Sequence, residues 1–199
     1  KITFPDGKSK KYETGVTGIE VAKDISQSLA KEAVAILVNG VQKDLSDPII
    51  ESSPISIITL KDDAGLEIMR HTLTAQVLAR AVKNLYPEAC LGIGPTIENG
   101  FYYDVLFKKP ISIDDFPKIE DEMRKIINEG HIINKQIKTK DQAINLFKEK
   151  NEPYKIKIIE ESDQNDNFQI YQQGEVDFFD LCKGPHIQNL KQVGEFKLT

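Results

Sequence analysis

The sequence predicts an α+β protein in two parts. Three features carry that expectation: closely spaced strand-like runs over the first sixty or so residues, a long amphipathic helix over about 64–86, and helices mixed with strands from there to a polar loop at Asp180–His186. A chain of 199 residues holds one large or two small domains, and 40% hydrophobic residues supply enough apolar surface for their cores. Two cysteines make no disulfide framework, and no apolar run approaches the roughly 18 residues needed to span a bilayer. A folded, soluble protein of the reducing cytoplasm, without membrane contact, is expected. Its first residues already read as strand, so no targeting segment is expected either. A net charge of −5 argues against a sequence-blind nucleic-acid coat, which needs clustered cations. Lys135, Lys138 and Lys140 form a basic strip that reads better as a solvated face.

Lys1–Phe4 and Lys8–Tyr12 flank the turn Pro5-Asp6-Gly7 and predict an opening hairpin. Thr17 or Gly18 then caps a helix carrying Ile19, Ala22, Ile25 and Leu29 at helical spacing. Ala33–Val38 is a continuous apolar strand that ends in Asn39-Gly40, a type I′ turn signal, so Val41–Leu45 should pair back on it. Ile55–Leu60, rich in β-branched residues, closes the sheet. Two strands, a helix and three more strands in so few residues describe a small β-grasp-like, ubiquitin-like module over 1–62. It offers no nucleophile, acid–base pair or metal cluster, which makes it a binding or docking module.

Lys61-Asp62-Asp63 places acidic groups at a helix amino terminus, and Leu66, Met69, Leu73, Val77, Leu78, Ala81, Val82 and Leu85 mark an apolar stripe that Pro87 stops. From Leu91 to Val105 two strand-like runs flank Asn99-Gly100, with Gly92 and Gly94 suggesting close backbone approach. The spacing is neither a P-loop nor a dinucleotide fingerprint. Asp114 or Asp115 caps a helix bearing Phe116, Ile119, Met123, Ile126 and Ile127, with Glu120 and Lys125 on its solvated face. His131–Ile137 reads as a strand and Lys140–Lys150 as a helix, while Asn151–Glu161 is ambiguous between the two. Phe168–Tyr171 and Glu175–Leu181 form a hairpin leading into the last loop.

That loop, Asp180-Leu181-Cys182-Lys183-Gly184-Pro185-His186, sets a thiol and an imidazole four positions apart across a Gly-Pro turn. Such a turn disfavours a helix, so the backbone bend decides where Cys182 and His186 point. The competing reading is a small buried hydrophobe beside a satisfied surface histidine. His71, on the long helix, is by itself more often a boundary residue than a catalyst.

The run Gly94-Pro95-Thr96-Ile97-Glu98-Asn99-Gly100-Phe101-Tyr102-Tyr103-Asp104, followed by the Asp180–His186 heptapeptide, resembles the amino-terminal region of the bacterial threonyl-tRNA synthetase family. Leu66–His71, Tyr154-Lys155 and Phe196-Lys197-Leu198 support the resemblance, which covers essentially the whole chain. It implies a TGS domain over 1–62 and, over 63–199, an editing (second additional) domain with an antiparallel sheet packed on helices. That editing domain would remove serine from mischarged threonine tRNA. The implied catalytic set is His71, Lys155, Asp180, Cys182 and His186, with Gln76, Tyr102, Tyr103, Gly94 and Pro95 binding substrate. Such a set can orient a water at an ester carbonyl while a cation stabilises the oxyanion, leaving Cys182 as a positioning group. The family's adenylation core, with its ATP, Mg and Zn, and its anticodon-binding domain would lie beyond Thr199. No cofactor is therefore expected for this stretch, and homodimerisation would run through the absent core.

One departure matters. The family carries two histidines four apart on the helix, whereas His71 is followed by Ala75 at i+4 and Gln76 at i+5. The helix also reads one residue longer than the family pattern, and the hairpin before Asp180 about two residues longer, which leaves the alignment of Glu175–Phe179 open. A single inserted residue can be absorbed as a π-bulge, which would aim His71 and Gln76 into one cleft. Glutamine cannot act as a base, so an appendage that binds tRNA without editing is a second reading. A zinc site of His71, Cys182 and His186, of the kind found in similar alanyl-tRNA editing domains, is a third.

Overall fold

The computed structural model describes residues 1–199, which fold into two compact units. One unit comprises Lys1–Met69 with Gly184–Gln188, the other Arg70–Lys183 with Asn189–Thr199.

In the first unit, β1 (Ile2–Thr3), β2 (Ser9–Lys10), β4 (Ala33–Val38), β5 (Val41–Lys43) and β7 (Ser53–Thr59) form one sheet in the order β2-β1-β7-β4-β5. β1 runs parallel to β7 and every other pair is antiparallel. Both central residues of the β4–β5 turn are left-handed, Asn39 at φ 52° and Gly40 at φ 78°, as a type I′ turn requires. A second, two-stranded pair, β3 (Val16–Thr17) with β6 (Pro48–Ile49), was not legible in the sequence because each strand is only two residues long. Val21, Ala22, Ala33, Ile36 and Leu45 lie at the centre of the core. The expected single helix is two, α1 (Gly18–Ile25) and α2 (Gln27–Glu32). Ser26 is extended and its side chain accepts from the Leu29 N–H, so it caps α2 and breaks the periodicity that placed Ile25 on the buried face. Ile25 is accordingly exposed.

The predicted long helix exists in three segments: α3 (Asp63–Thr72), a π-helical turn over Leu73–Leu78, and α4 (Ala79–Leu85). In the second unit follow β8 (Cys90–Leu91), β9 (Thr96–Ile97), β10 (Gly100–Phe101) and β11 (Val105–Leu106). They pair as the hairpin β9–β10 and as β8–β11. The β9–β10 turn is Glu98-Asn99, one residue earlier than expected, because Gly100 already pairs with Ile97. α5 (Phe116–Glu129) packs Ile119, Met123 and Ile126 against Leu73, Val77 and Ala81, and Gly130, left-handed at φ 66°, ends it.

β12 (Ile133–Lys138), β13 (Phe168–Gln173) and β14 (Phe179–Leu181) form an antiparallel sheet. α6 (Lys140–Glu149) packs on it through Ala143 and Phe147, together with Ile159 of α7 (Pro153–Glu160). The ambiguous segment is thus helical: Pro153 sits in the first turn, where its missing N–H costs nothing. The second strand of the last hairpin is shorter than expected, since Gly174 at φ 55° and the residues after it form the turn. No helix is long and apolar enough to cross a membrane.

Candidate active site

The second unit holds a cavity of about 610 Å³, within the range of small-molecule sites. Strand alternation supplies one wall. Asp180 in β14 and Cys182 just past it stand two residues apart, so both side chains meet the same face. α7 contributes Lys155, the end of α3 contributes His71, and the segment before and after β9–β10 contributes Gly94, Pro95 and Tyr103. Of the ten sequence-predicted residues, these seven line one cavity.

Two polar pairs occupy it. His71 Nε2 lies 2.7 Å from Cys182 Sγ. Lys155 Nζ lies 2.7 Å from Asp180 Oδ1 and donates to Tyr103 Oη at 3.0 Å. The Lys155 and Asp180 side chains are only 4% and 2% exposed, so this is a buried ion pair held by charge. Burial pushes the Lys155 ammonium down, but Asp180 and Tyr103 together outweigh it and the net shift is upward. Burial, then the Asp180 charge, pushes the Tyr103 phenol up, with Lys155 opposing. At neutral pH Lys155 is a fixed cation and Tyr103 a neutral donor, and neither is a base.

Gly94 is required by space. A Cβ there would stand 2.3 Å from a Tyr103 ring carbon and 2.6 Å from the Thr74 hydroxyl oxygen. Thr74, inside the π-turn, donates that hydroxyl to the Tyr102 carbonyl at 3.0 Å, tying helix to loop.

Three expected residues are not part of the cavity lining. The π-turn anticipated from the extra residue is present, but it does not aim Gln76 at the cavity. Ala75, one turn after His71, lines the cavity, while Gln76 is fully buried and its Oε1 accepts from Gln173 Nε2 at 3.2 Å. Tyr102 is exposed and outside the lining. His186 belongs to the first unit, where it is buried and its backbone N–H donates to Asp44 Oδ1 at 2.9 Å. The Gly184–Pro185 bond preceding it is cis.

Sequence reasoning missed the rim formed by Ser162, Gln164 and Asn167. Only the cluster of turn-forming residues between α7 and β13 marked it, and Asn167 is left-handed at φ 64°. His71 Nε2 and Cys182 Sγ are both donors of the type zinc takes, and they stand closer than two ligands of one tetrahedral ion. Tetrahedral ligands at the usual zinc distances are separated by ~3.5 Å, and 2.7 Å is direct contact.

Residues 1–59 match the TGS domain, and residues 168–199 match the threonyl and alanyl tRNA synthetase second additional domain. The chain therefore carries a TGS β-grasp domain at its amino terminus, and its last 32 residues match a second additional domain. It is 46% identical over 198 residues to the threonine–tRNA ligase of Acetivibrio thermocellus, covering 100% of this chain and 31% of that protein. The threonine–tRNA ligases of Bartonella quintana and Rhizobium johnstonii are each 46% identical over 198 residues, 99% of this chain and 30% and 29% of theirs. Over its whole length the chain is similar to the amino-terminal region of bacterial threonine–tRNA ligases, and it spans under a third of the length of these relatives.

Proposed function

We propose that the chain is the TGS and editing portion of a threonine–tRNA ligase, with residues 1–62 as the TGS domain and 63–199 as a hydrolase that removes serine from threonine tRNA. The observation that carries this reading is the pairing of a fixed cation with an imidazole–thiol pair in one cavity. Hydrolysis of an aminoacyl ester needs an oriented water, a group to take its proton and a positive charge near the developing oxyanion. His71 supplies the proton acceptor, Cys182 orients it, and Lys155, steadied by Asp180 and Tyr103, supplies the charge. His186, four residues beyond Cys182 in sequence, completes the proposed catalytic set. Gly94 and Pro95 form the substrate wall, while Gln76, buried against Gln173, and the exposed Tyr102 lie outside the lining. The rest of such a ligase would bring the ATP, Mg and Zn chemistry of adenylation, anticodon recognition, dimerisation and a cytoplasmic setting.

Deacylation of serine-charged and threonine-charged threonine tRNA tests the proposal. Selective loss of serine that disappears in His71→Ala is expected, and turnover unchanged by that substitution overturns it. One observation favours a second reading, a tRNA-binding appendage without editing: Ala75 stands where a second helix histidine would face the cavity, and a methyl group moves no proton. Binding of threonine tRNA without deacylation would establish that reading.

A further inference from the structure

A π-turn is uncommon and needs something to hold it, because it disrupts the α-helical hydrogen-bond ladder. Here the Ala79 N–H reaches back to both the Thr74 and the Gln76 carbonyls. Gln173, the fully buried last residue of β13, meets Gln76, inside this turn, at two points. Its Nε2 donates to the Gln76 main-chain oxygen at 3.0 Å and to Gln76 Oε1 at 3.2 Å. Its Oε1 accepts from Arg80 Nη1, one turn further on, at 2.9 Å. Arg80 Nη1 is in turn 2.7 Å from Glu129 Oε2. Because arginine only donates, the direction of the chain Arg80 to Gln173 to Gln76 is fixed. The order leaves Gln76 Nε2 buried without a partner, a standing cost that a glutamine free to turn elsewhere would avoid.

We propose that Gln173, braced by Arg80, is a positioning residue that fixes the π-register and so aims His71 at Cys182. The end of the turn and the helix beyond it are anchored by Val77 and Ala81 in the core with Ile119 and Met123. If the extra residue were redistributed toward the amino-terminal side, His71 would turn by about 100° and shift by about 1.5 Å, enough to leave Cys182. Removing the extra residue has the opposite effect: a Gln76 deletion lets the turn become ordinary α-helix while both flanks keep their orientation. The inference rests on His71 and Cys182 being a working pair, and its readout is thiol chemistry, which can succeed or fail independently of deacylation.

The test is alkylation of Cys182 by iodoacetamide between about pH 6 and 9, followed at that residue by mass spectrometry. His71→Ala sets the value for the thiol without its imidazole. Gln173→Glu keeps an acceptor for Arg80 but cannot donate to Gln76. It is expected to match His71→Ala, with near-neutral alkylation changed by ~5-fold or more in the same direction and the same pH profile. The Gln76 deletion is expected to keep the wild-type, His71-dependent profile and to make it insensitive to Gln173→Glu. A wild-type profile in Gln173→Glu, or an equal effect of Gln173→Glu with and without Gln76, overturns the proposal. Should Gln173→Glu fail to fold, the deletion alone decides: retention of the profile supports the register argument, and loss of it contradicts.

Discussion

The two units differ in where their ion pairs sit. In the first, ion pairs such as Lys61–Glu32 sit on the surface, with side chains 78% and 43% exposed, over an apolar core. In the second, Lys155–Asp180 is buried, Lys83 pairs with the nearly buried Glu152, and a helix gives up its regular ladder around Gln76. Surface pairs are screened and add little, whereas buried ones are costly to break and persist where they hold a geometry. The contrast separates a unit whose ion pairs lie at its surface from one that buries an ion pair in its cavity, and it can be attacked by substitution.

The largest effect is expected from Asp180→Asn, which leaves the Lys155 ammonium buried without its counter-charge. Unfolding in urea should show a loss of about 3–5 kcal/mol together with loss of deacylation. Glu32→Gln in the first unit should cost less than ~1 kcal/mol, and comparable losses would erase the contrast. Next in size is Gly94→Ala, whose methyl group would collide with Tyr103 and Thr74. A destabilisation of roughly 1–3 kcal/mol and a weakened deacylation rate are expected from overpacking there. A neutral outcome would show that the loop gives way.

Zinc sharpens the comparison further. Protein purified without added metal should hold no stoichiometric zinc by mass spectrometry, because the proposed hydrolysis uses His71 as a proton acceptor and a zinc ligand has no free lone pair for that role. Zinc that is lost in His71→Ala would contradict that role.

The smallest effects concern pH, and the units should differ in the window. Glu120 is held below the usual carboxylate value, chiefly by the Leu198 N–H and then by Lys197 and Arg124. Its contribution is complete above the ordinary glutamate pKa and is lost as pH falls through the depressed folded value. Glu120→Gln should flatten that acid limb. In the first unit, burial and then Asp24 push Tyr12 up to about 12. Its contribution is lost as pH rises from the ordinary tyrosine value toward that one, and Tyr12→Phe should remove the alkaline limb. Urea midpoints across pH would measure both.

Much of this was legible in the chain. Asn39-Gly40 announced its turn, and the apolar periodicity of α5 announced its buried face, because local chemistry alone decides such features. The π-turn was legible as one residue too many, against the family pattern, between Leu66 and Pro87. Its direction was not, since Gln173 lies 97 positions away from Gln76 and nothing local says which side of the helix will claim the amide. The break at Ser26 shows the converse, a capping side chain overriding an apolar repeat that looked continuous. Lys155 was assigned to the site while its segment was still ambiguous, and Pro153 settles that segment as a helix.

The most direct measurement is deacylation of serine-charged against threonine-charged threonine tRNA by the wild-type chain, His71→Ala and Cys182→Ala. The account predicts selective release of serine that falls by ~100-fold without the imidazole and by less without the thiol. Release that survives His71→Ala, or none from a folded protein that still binds tRNA, would contradict it.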